Sequence, residues 1–266
     1  MAFGLFCLAY GIPNFVCILW YISMNKIECS IMRLREFEPP EGYYLAFSGG
    51  KDSVVILRLA QMAGVKFDAH YNNTSVDPPE LVHFIREQHP GVIEEPYKKS
   101  MWDLIPEKRM PPTRLVRYCC EALKEKGGTQ RIVVTGIRAA ESAKRSKRKM
   151  VEVCYKDTSK RYLHCIHDWT HNDIWDFIRS ENIPYCNLYN EGFERLGCIG
   201  CPMAGKKRIK EFARWPTYKT AYIRAFQKMV DVRKKRGMNC QWNTGEQVFR
   251  WWMEDFESEH QIMMFD

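Results

Sequence analysis

The spacing of apolar positions changes several times along the chain, and each change marks an element. Ile27, Ile31, Leu34 and Phe37 recur at helical spacing until Pro39-Pro40 stop the helix. Tyr43–Phe47 is a short apolar run and reads as a strand. A glycine-containing turn follows at Ser48–Ser53, and Val54–Met62 continues as a helix. Val65–Tyr71 predicts the next strand. Asp77-Pro78-Pro79-Glu80 predicts a helix running through Glu87, with Asp77 as cap and proline in the first turn. Gly91–Glu94 predicts a short strand, Arg114–Lys124 a helix ended by Gly127-Gly128, and Arg131–Gly136 a β-branched strand. After Thr170 the pattern is helical, over about 170–180, 206–213, 216–236 and 244–255. Strands alternating with helices predict an α/β fold: a parallel sheet covered by helices on both faces, with a helical C-terminal part.

Residues 1–23 stand apart because they carry no charge. About 20 apolar residues can cross a bilayer, and Lys26, Arg33 and Arg35 would then keep the following domain cytoplasmic. Gly4, Gly11, Pro13 and Asn14 weaken that helix, and Met24 opens an ordinary amphipathic segment. Two expectations therefore stand for 1–23: a membrane anchor, or an upstream translation that a cytoplasmic protein does not need. The domain reading is 1–23, an α/β domain over 24–205, and a helical extension over 206–266.

Composition narrows the chemistry. Of 266 residues, 45% are hydrophobic and 27% charged, enough for a sizeable core and incompatible with wholesale disorder. The net charge of +8 suits a polyanion, either a nucleotide or a nucleic acid, without choosing between them. Eleven cysteines, an odd number in a long charged chain, point to reduced thiols with a metal or redox task.

The turn Ser48-Gly49-Gly50-Lys51-Asp52-Ser53, between a strand and a helix start, has the parts of an anion site. Its glycines let the backbone approach phosphate oxygens, and the amides at the helix start bind them. Ser48 and Ser53 add hydroxyls, Lys51 a positive charge, and Asp52 a carboxylate that could help hold Mg²⁺. A branched side chain at Gly50 is expected to fill the phosphate space and to resist a positive φ. The spacing is not that of a Walker A loop.

Cysteines form a second pattern. Cys119-Cys120 and Cys198-Ile199-Gly200-Cys201 together offer four thiolates, which suit a 4Fe–4S cluster, with structural Zn²⁺ as the alternative. Cys154, Cys165 and Cys186 are isolated and read as packing residues.

The SGGKDS turn resembles the PP-loop of adenine-nucleotide α-hydrolase-like enzymes. A tandem Cys-Cys followed about eighty residues later by C-x-x-C resembles the iron–sulfur motif of assimilatory adenylyl-sulfate reductases. His167-Asp168-Trp169-Thr170, Asp173-Ile174-Trp175, Ile183-Pro184, Leu188-Tyr189, Gly192-Phe193 and Gly197-Cys198 are similar to the phosphoadenylyl-sulfate (PAPS) reductase family. The resemblance covers about Tyr43 to Ala204. It implies a Rossmann-like adenine nucleotide α-hydrolase fold. It also implies a PP-loop that grips the pyrophosphate of ATP, or the equivalent group of PAPS or adenylyl sulfate (APS).

Gly136-Ile137-Arg138-Ala139-Ala140-Glu141-Ser142 follows a strand, where ligands of open α/β sheets gather. Arg138 can clamp an anion through paired N–H groups, and the segment is similar to the family's arginine-bearing substrate loop. On that resemblance Arg138 and Arg145 are substrate-loop candidates. Lys144, Lys147, Arg148 and Lys149 surround them as a basic run, whose plainest reading is a solvated face.

Two features depart from the family. Asn73-Thr74-Ser75-Val76-Asp77 replaces an Asp-Thr-Gly-type segment. The last cysteine, Cys240, lies in Asn239-Cys240-Gln241-Trp242 rather than in a Glu-Cys-Gly-type tail, and reads as a packing thiol. Trp242, Phe249, Trp251 and Trp252 are expected to anchor the last helix.

Three functions compete. The first is a nucleotide-dependent sulfur-transfer enzyme with Lys51, Asp52 and Arg138 in its catalytic site, a cluster, and a sulfur donor. The second is a PAPS or APS reductase served by a thioredoxin-like reductant. The third is a non-enzymatic nucleic-acid-binding protein, supported by net charge and the basic run. A nucleic acid is also a candidate acceptor for the first.

Overall fold

The computed structural model describes residues 25–125 and 127–254. The expectations for 1–23, membrane anchor or upstream translation, lie outside the described residues, as do the last residues of the C-terminal extension. Among the described residues no helix is long and apolar enough to cross a membrane.

The elements follow in chain order. Helix α1 is Lys26–Glu36, β1 is Tyr43–Phe47, α2 is Lys51–Ala63, β2 is Phe67–Asn72, α3 is Pro79–Gln88 and β3 is Ile93–Glu95. Next come α4 (Met101–Lys108), α5 (Tyr118–Leu123), β4 (Ile132–Val134), α6 (Ala143–Ser146), β5 (Val151–Val153), β6 (Arg161–Leu163) and α7 (His171–Ser180). The chain then becomes helical: α8 (Lys207–Arg214), α9 (Pro216–Lys235) and α10 (Gly245–Met253), with short 3-10 turns at Asn187–Tyr189 and Pro202–Ala204.

The strands form one sheet in the order β3-β2-β1-β4-β6-β5. The pairs β1–β4, β2–β3 and β4–β6 are parallel, as the alternation of strands and helices predicts. The edge pair β5–β6 is antiparallel, with Val153 opposite Arg161, and this hairpin is an addition to the expected all-parallel sheet.

Two compact units divide the chain. The first comprises the segments up to Ala46, Lys51–Asp68 and Gln130–Ile183; the second comprises Phe47–Gly50, Ala69–Thr129 and the segments from Pro184. In the first, Leu34, Tyr43, Leu45, Ile56, Leu59, Leu163, Trp169 and Ile174 are fully buried. Asn25 and Glu28 close a capping box on α1, and Thr170 and Asp173 do the same on α7. In the second, Tyr222, Phe226 and Trp252 form an aromatic cluster with Phe212 and Phe249, the Tyr222 and Trp252 rings 4.8 Å apart. Phe249 and Trp252 thus anchor α10 as expected, and Trp242 packs on Trp251 at 5.1 Å.

Three local expectations change. The Arg114–Lys124 helix shrinks to Tyr118–Leu123. Helix α4 was not read from the pattern, and Pro106 lies inside it. Asp77 is not the cap of α3, because Pro78 occupies that position. The Asp77 carboxylate instead accepts hydrogen bonds from the Thr74 amide (3.0 Å) and the Tyr71 hydroxyl (2.7 Å), and so fixes the 74–77 turn.

Candidate functional site

The chain crosses from the second unit to the first within the glycine-rich turn, between Gly50 and Lys51. In the first unit, Lys51–Ser53 begin α2, and the free amides of such a helix start can take an anion. Strand β1 leads into that start, and β4 lies beside β1 in parallel register, Leu45 opposite Val134. Four residues after β4, the Arg138 side chain reaches Asp52: its Nε donates to Oδ1 at 2.7 Å. Lys51 Nζ lies 3.6 Å from the other carboxylate oxygen. Lys51 is 6% exposed and Arg138 3%. Two cations are rarely this deeply buried without a matching anion. Gly136 makes the approach possible, since a Cβ there would sit 2.9 Å from Asp52 Cβ.

The arginine segment is braced from within. The Arg138 amide donates to Glu141 Oε2 at 3.0 Å, and Arg145 pairs with Glu141. The Ala139 amide donates to the His167 carbonyl at 2.8 Å. The two side chains have different partners, Asp52 for Arg138 and Glu141 for Arg145, while Glu141 also accepts from the Arg138 amide. Glu141 was read only as part of the motif; its bonds show that it fixes both arginines. Asp52, expected as a help to Mg²⁺, has both oxygens facing cations and so orients Arg138.

In the second unit, Gly49 and Gly50 play different parts. Gly49 has φ +70° and lies against Leu81 and Ile85, 2.7 Å from where a Cβ would be. Gly50 does not have a positive φ, so the conformational strain expected there belongs to Gly49. The open face of Gly50 is bordered by Tyr189 Oη and Ser48 Oγ, 3.4 and 3.5 Å from a notional Cβ. Tyr189, read from the sequence only within the family-like Leu188-Tyr189 pair, thus borders this turn.

The four cysteines of the second unit sit on two supports. Cys119 and Cys120 occupy the first turn of α5, where the Arg117 guanidinium donates to Cys120 Sγ at 3.1 Å. The Cys198 thiol donates to Thr74 Oγ1 at 3.3 Å, and the Ile199 amide to the Val76 carbonyl at 2.8 Å. Gly200, at φ +74°, packs among Phe212, Tyr222 and Trp252, and its amide donates to Glu211 at 2.7 Å. The hydrogen bond from Cys119 brings Cys120 down to about 5, with help from Arg117. Cys119 moves up, through the same bond and through burial. Burial pushes Cys198 up to about 11, and the Cys198 sulfur and Asp77 hold Lys124 charged. Cys198 and Cys201 also act electrostatically on Cys119, so both cysteine pairs belong to one neighbourhood. Among the described residues, no three or more His, Cys, Asp and Glu side chains converge closely enough to hold a single metal ion. Cys240 lies elsewhere in this unit, its thiol donating to the Trp242 carbonyl at 3.3 Å. Arg117 and Thr74 are further residues the sequence reading missed; the Arg-Tyr-Cys-Cys order was the available signal for Arg117.

Residues 42–204 match the phosphoadenosine phosphosulfate reductase domain. The chain belongs to that family. An uncharacterized protein of Methanocaldococcus jannaschii is 30% identical over 238 residues, 82% of this chain and 56% of that protein. An adenosine 5'-phosphosulfate reductase of Bacillus cytotoxicus is 26% identical over 196 residues, 64% of this chain and 77% of that one. The solved phosphoadenylyl-sulfate reductase of Candida auris shares the fold, with a TM-score of 0.51 at 15% identity, over 67% of this chain and 90% of the other. The chain spans little more than half the length of the M. jannaschii relative, and about a third of two other curated relatives. The turn at 48–53 and Arg138 lie within the matched residues, and the family's fold is an adenine-nucleotide-binding one.

Proposed function

We propose that the chain is an enzyme that takes the phosphate or phosphosulfate end of an adenine nucleotide on Ser48–Ser53 and Arg138. In this reading it works on sulfur with a 4Fe–4S cluster on Cys119, Cys120, Cys198 and Cys201. The observation that carries the nucleotide part is the burial of Lys51 and Arg138 against Asp52, at the carboxyl ends of paired parallel strands. An arriving phosphate or sulfate oxygen gains two charged donors that are already oriented, so little reorganisation accompanies binding. Ser48, Ser53 and the α2 amides complete the cradle, and Arg145 adds charge while it steadies Glu141.

The cysteine surroundings fit an iron–sulfur cluster. The donor set is all thiol, Arg117 and Lys124 offset its negative charge, and the sulfurs influence one another without converging on one point. A cluster held there would supply electron transfer or sulfur handling.

Two reactions are consistent with this site. In sulfur activation, an acceptor oxygen attacks the α-phosphorus of Mg²⁺-bound ATP and pyrophosphate leaves, with Lys51 and Arg138 stabilising the charge that develops. In reduction, a dithiol reductant of the thioredoxin type supplies two electrons and becomes a disulfide, the S–O bond of the sulfonucleotide breaks, and sulfite and the adenosine phosphate are released, a reading favoured by the reductase relative. Anaerobically purified protein, given ATP, adenylyl sulfate or PAPS in turn, separates them. Pyrophosphate release supports activation, sulfite release supports reduction, and binding of none of the three overturns the proposal.

A further inference from the structure

The antiparallel β5–β6 hairpin and the basic run before it, Arg145 apart, are not used by the proposed nucleotide site, and their charge is unusual. Residues 144–161 hold eight Lys and Arg against two Asp and Glu, a net +6 out of the chain's +8. Both acids are engaged within the segment. Glu152 accepts from Arg148 (2.8 Å) and from the Lys149 amide (2.7 Å), and Asp157 accepts from the Ser159 amide at 3.1 Å. Lys144, Lys147, Lys149, Lys156 and Arg161 are exposed. Such a concentration of like charge costs self-repulsion, which a polyanion relieves.

Exposed apolar surface lies on the same hairpin. Val153 is 56% exposed, and Tyr155, at the turn, is 87% exposed with the Lys156 ammonium 6.0 Å from its ring centre. Val153 pairs with Arg161 across the two strands, so an apolar and a cationic side chain share one face at the edge of the sheet. Flexible cations flanking an exposed aromatic ring are the parts of a single-strand binding surface: phosphates meet the cations and a base stacks on the ring. A duplex would offer the phosphates but no free base face.

We infer that the hairpin spanning Val151–Leu163, with the preceding basic run Lys144–Lys149, is a docking surface for single-stranded nucleic acid, with Tyr155 as the stacking platform. The inference rests on this segment alone and stands or falls independently of the nucleotide reading.

Fluorescence anisotropy with a labelled single-stranded oligonucleotide tests it on the full chain. Binding is expected at 50 mM salt and should weaken steeply as salt rises, with a log–log slope that drops by about 0.7 for each lost phosphate contact. Lys147→Glu with Lys149→Glu should flatten that slope. Tyr155→Ala should weaken binding about 5- to 150-fold, and Tyr155→Phe should restore it. None of these exposed changes should alter the melting temperature or the titration with adenylyl sulfate. Absence of oligonucleotide binding at 50 mM salt overturns the inference. So does binding that neither Tyr155→Ala nor the lysine changes weaken. Vesicles containing phosphatidylserine that bind the chain while the oligonucleotide does not would assign the surface to a membrane instead.

Discussion

In the first unit, Lys51 and Arg138 are buried cations already held in place by Asp52, and the backbone around them is braced by Glu141. In the second, Cys119, Cys120, Cys198 and Cys201 are held by their backbones, while their thiols settle into unequal charge states, Cys120 low and Cys119 high. The two regions handle charge differently. The Lys51–Arg138 region is arranged by the protein's own ion pairs with Asp52. The cysteine region sets one lowered thiol, Cys120, beside the raised Cys119 and Cys198, with cationic Arg117 and Lys124 in the same electrostatic neighbourhood.

The contrast is sharpest in what each region loses. Cys198→Ser or Cys119→Ser should take iron from about four per chain to near zero in anaerobic protein, as the four-thiolate reading requires, and remove the absorbance near 400 nm. Nucleotide affinity should be unchanged. One zinc per chain with no iron would instead mark a structural site.

The paired glycines give the next largest effect. Gly49→Ala should destabilise the fold by about 2–4 kcal/mol, because the new methyl group meets Leu81 and Ile85 in a left-handed backbone conformation. Gly50→Ala should leave the melting temperature nearly unchanged and weaken nucleotide binding, since its space is open to Ser48 and Tyr189. Equal melting curves for the two variants would contradict the division of roles.

Acid titration probes a buried histidine of the first unit. His164 is fully buried, its Nδ1 2.6 Å from Thr135 Oγ1, and burial pushes it down to about 4 from 6.5. Because its folded value lies below the unfolded one, its contribution is fully present above pH 6.5 and is lost as pH falls toward 4. The loss should reach about 3 kcal/mol, and His164→Gln should flatten that part of the stability curve.

Much of this was legible from pattern. Tyr43–Phe47 and the three C-terminal helices lie where periodicity places them, because each has a single apolar face or a short buried run. The loop residues Ser48–Ser53 and Arg138 were legible because glycine and charge at a strand end have few other uses. What the chain conceals are contacts between distant segments. Thr74 reaches Cys198 across 124 positions, and Tyr189 comes to the face of Gly50; neither has a local signature. Asp77 misled for the opposite reason: its neighbours Pro78 and Pro79 make a convincing helix start, yet Tyr71 and the Thr74 amide claim its carboxylate. The β5–β6 hairpin was hidden because its strands are three residues each, too short to show alternation.

The central claim is that the turn at 48–53 and Arg138 form an adenine-nucleotide phosphate site made by the protein's own charges. Isothermal titration of ATP and adenylyl sulfate into the wild type, Lys51→Ala, Arg138→Ala and Cys198→Ser tests it most directly. The account expects one of the two nucleotides to bind the wild type and Cys198→Ser alike. Lys51→Ala and Arg138→Ala should each lose about 1.5–3 kcal/mol of that affinity, the usual worth of a charge-assisted hydrogen bond. Unchanged affinity for both nucleotides in both charge-removing variants would contradict it.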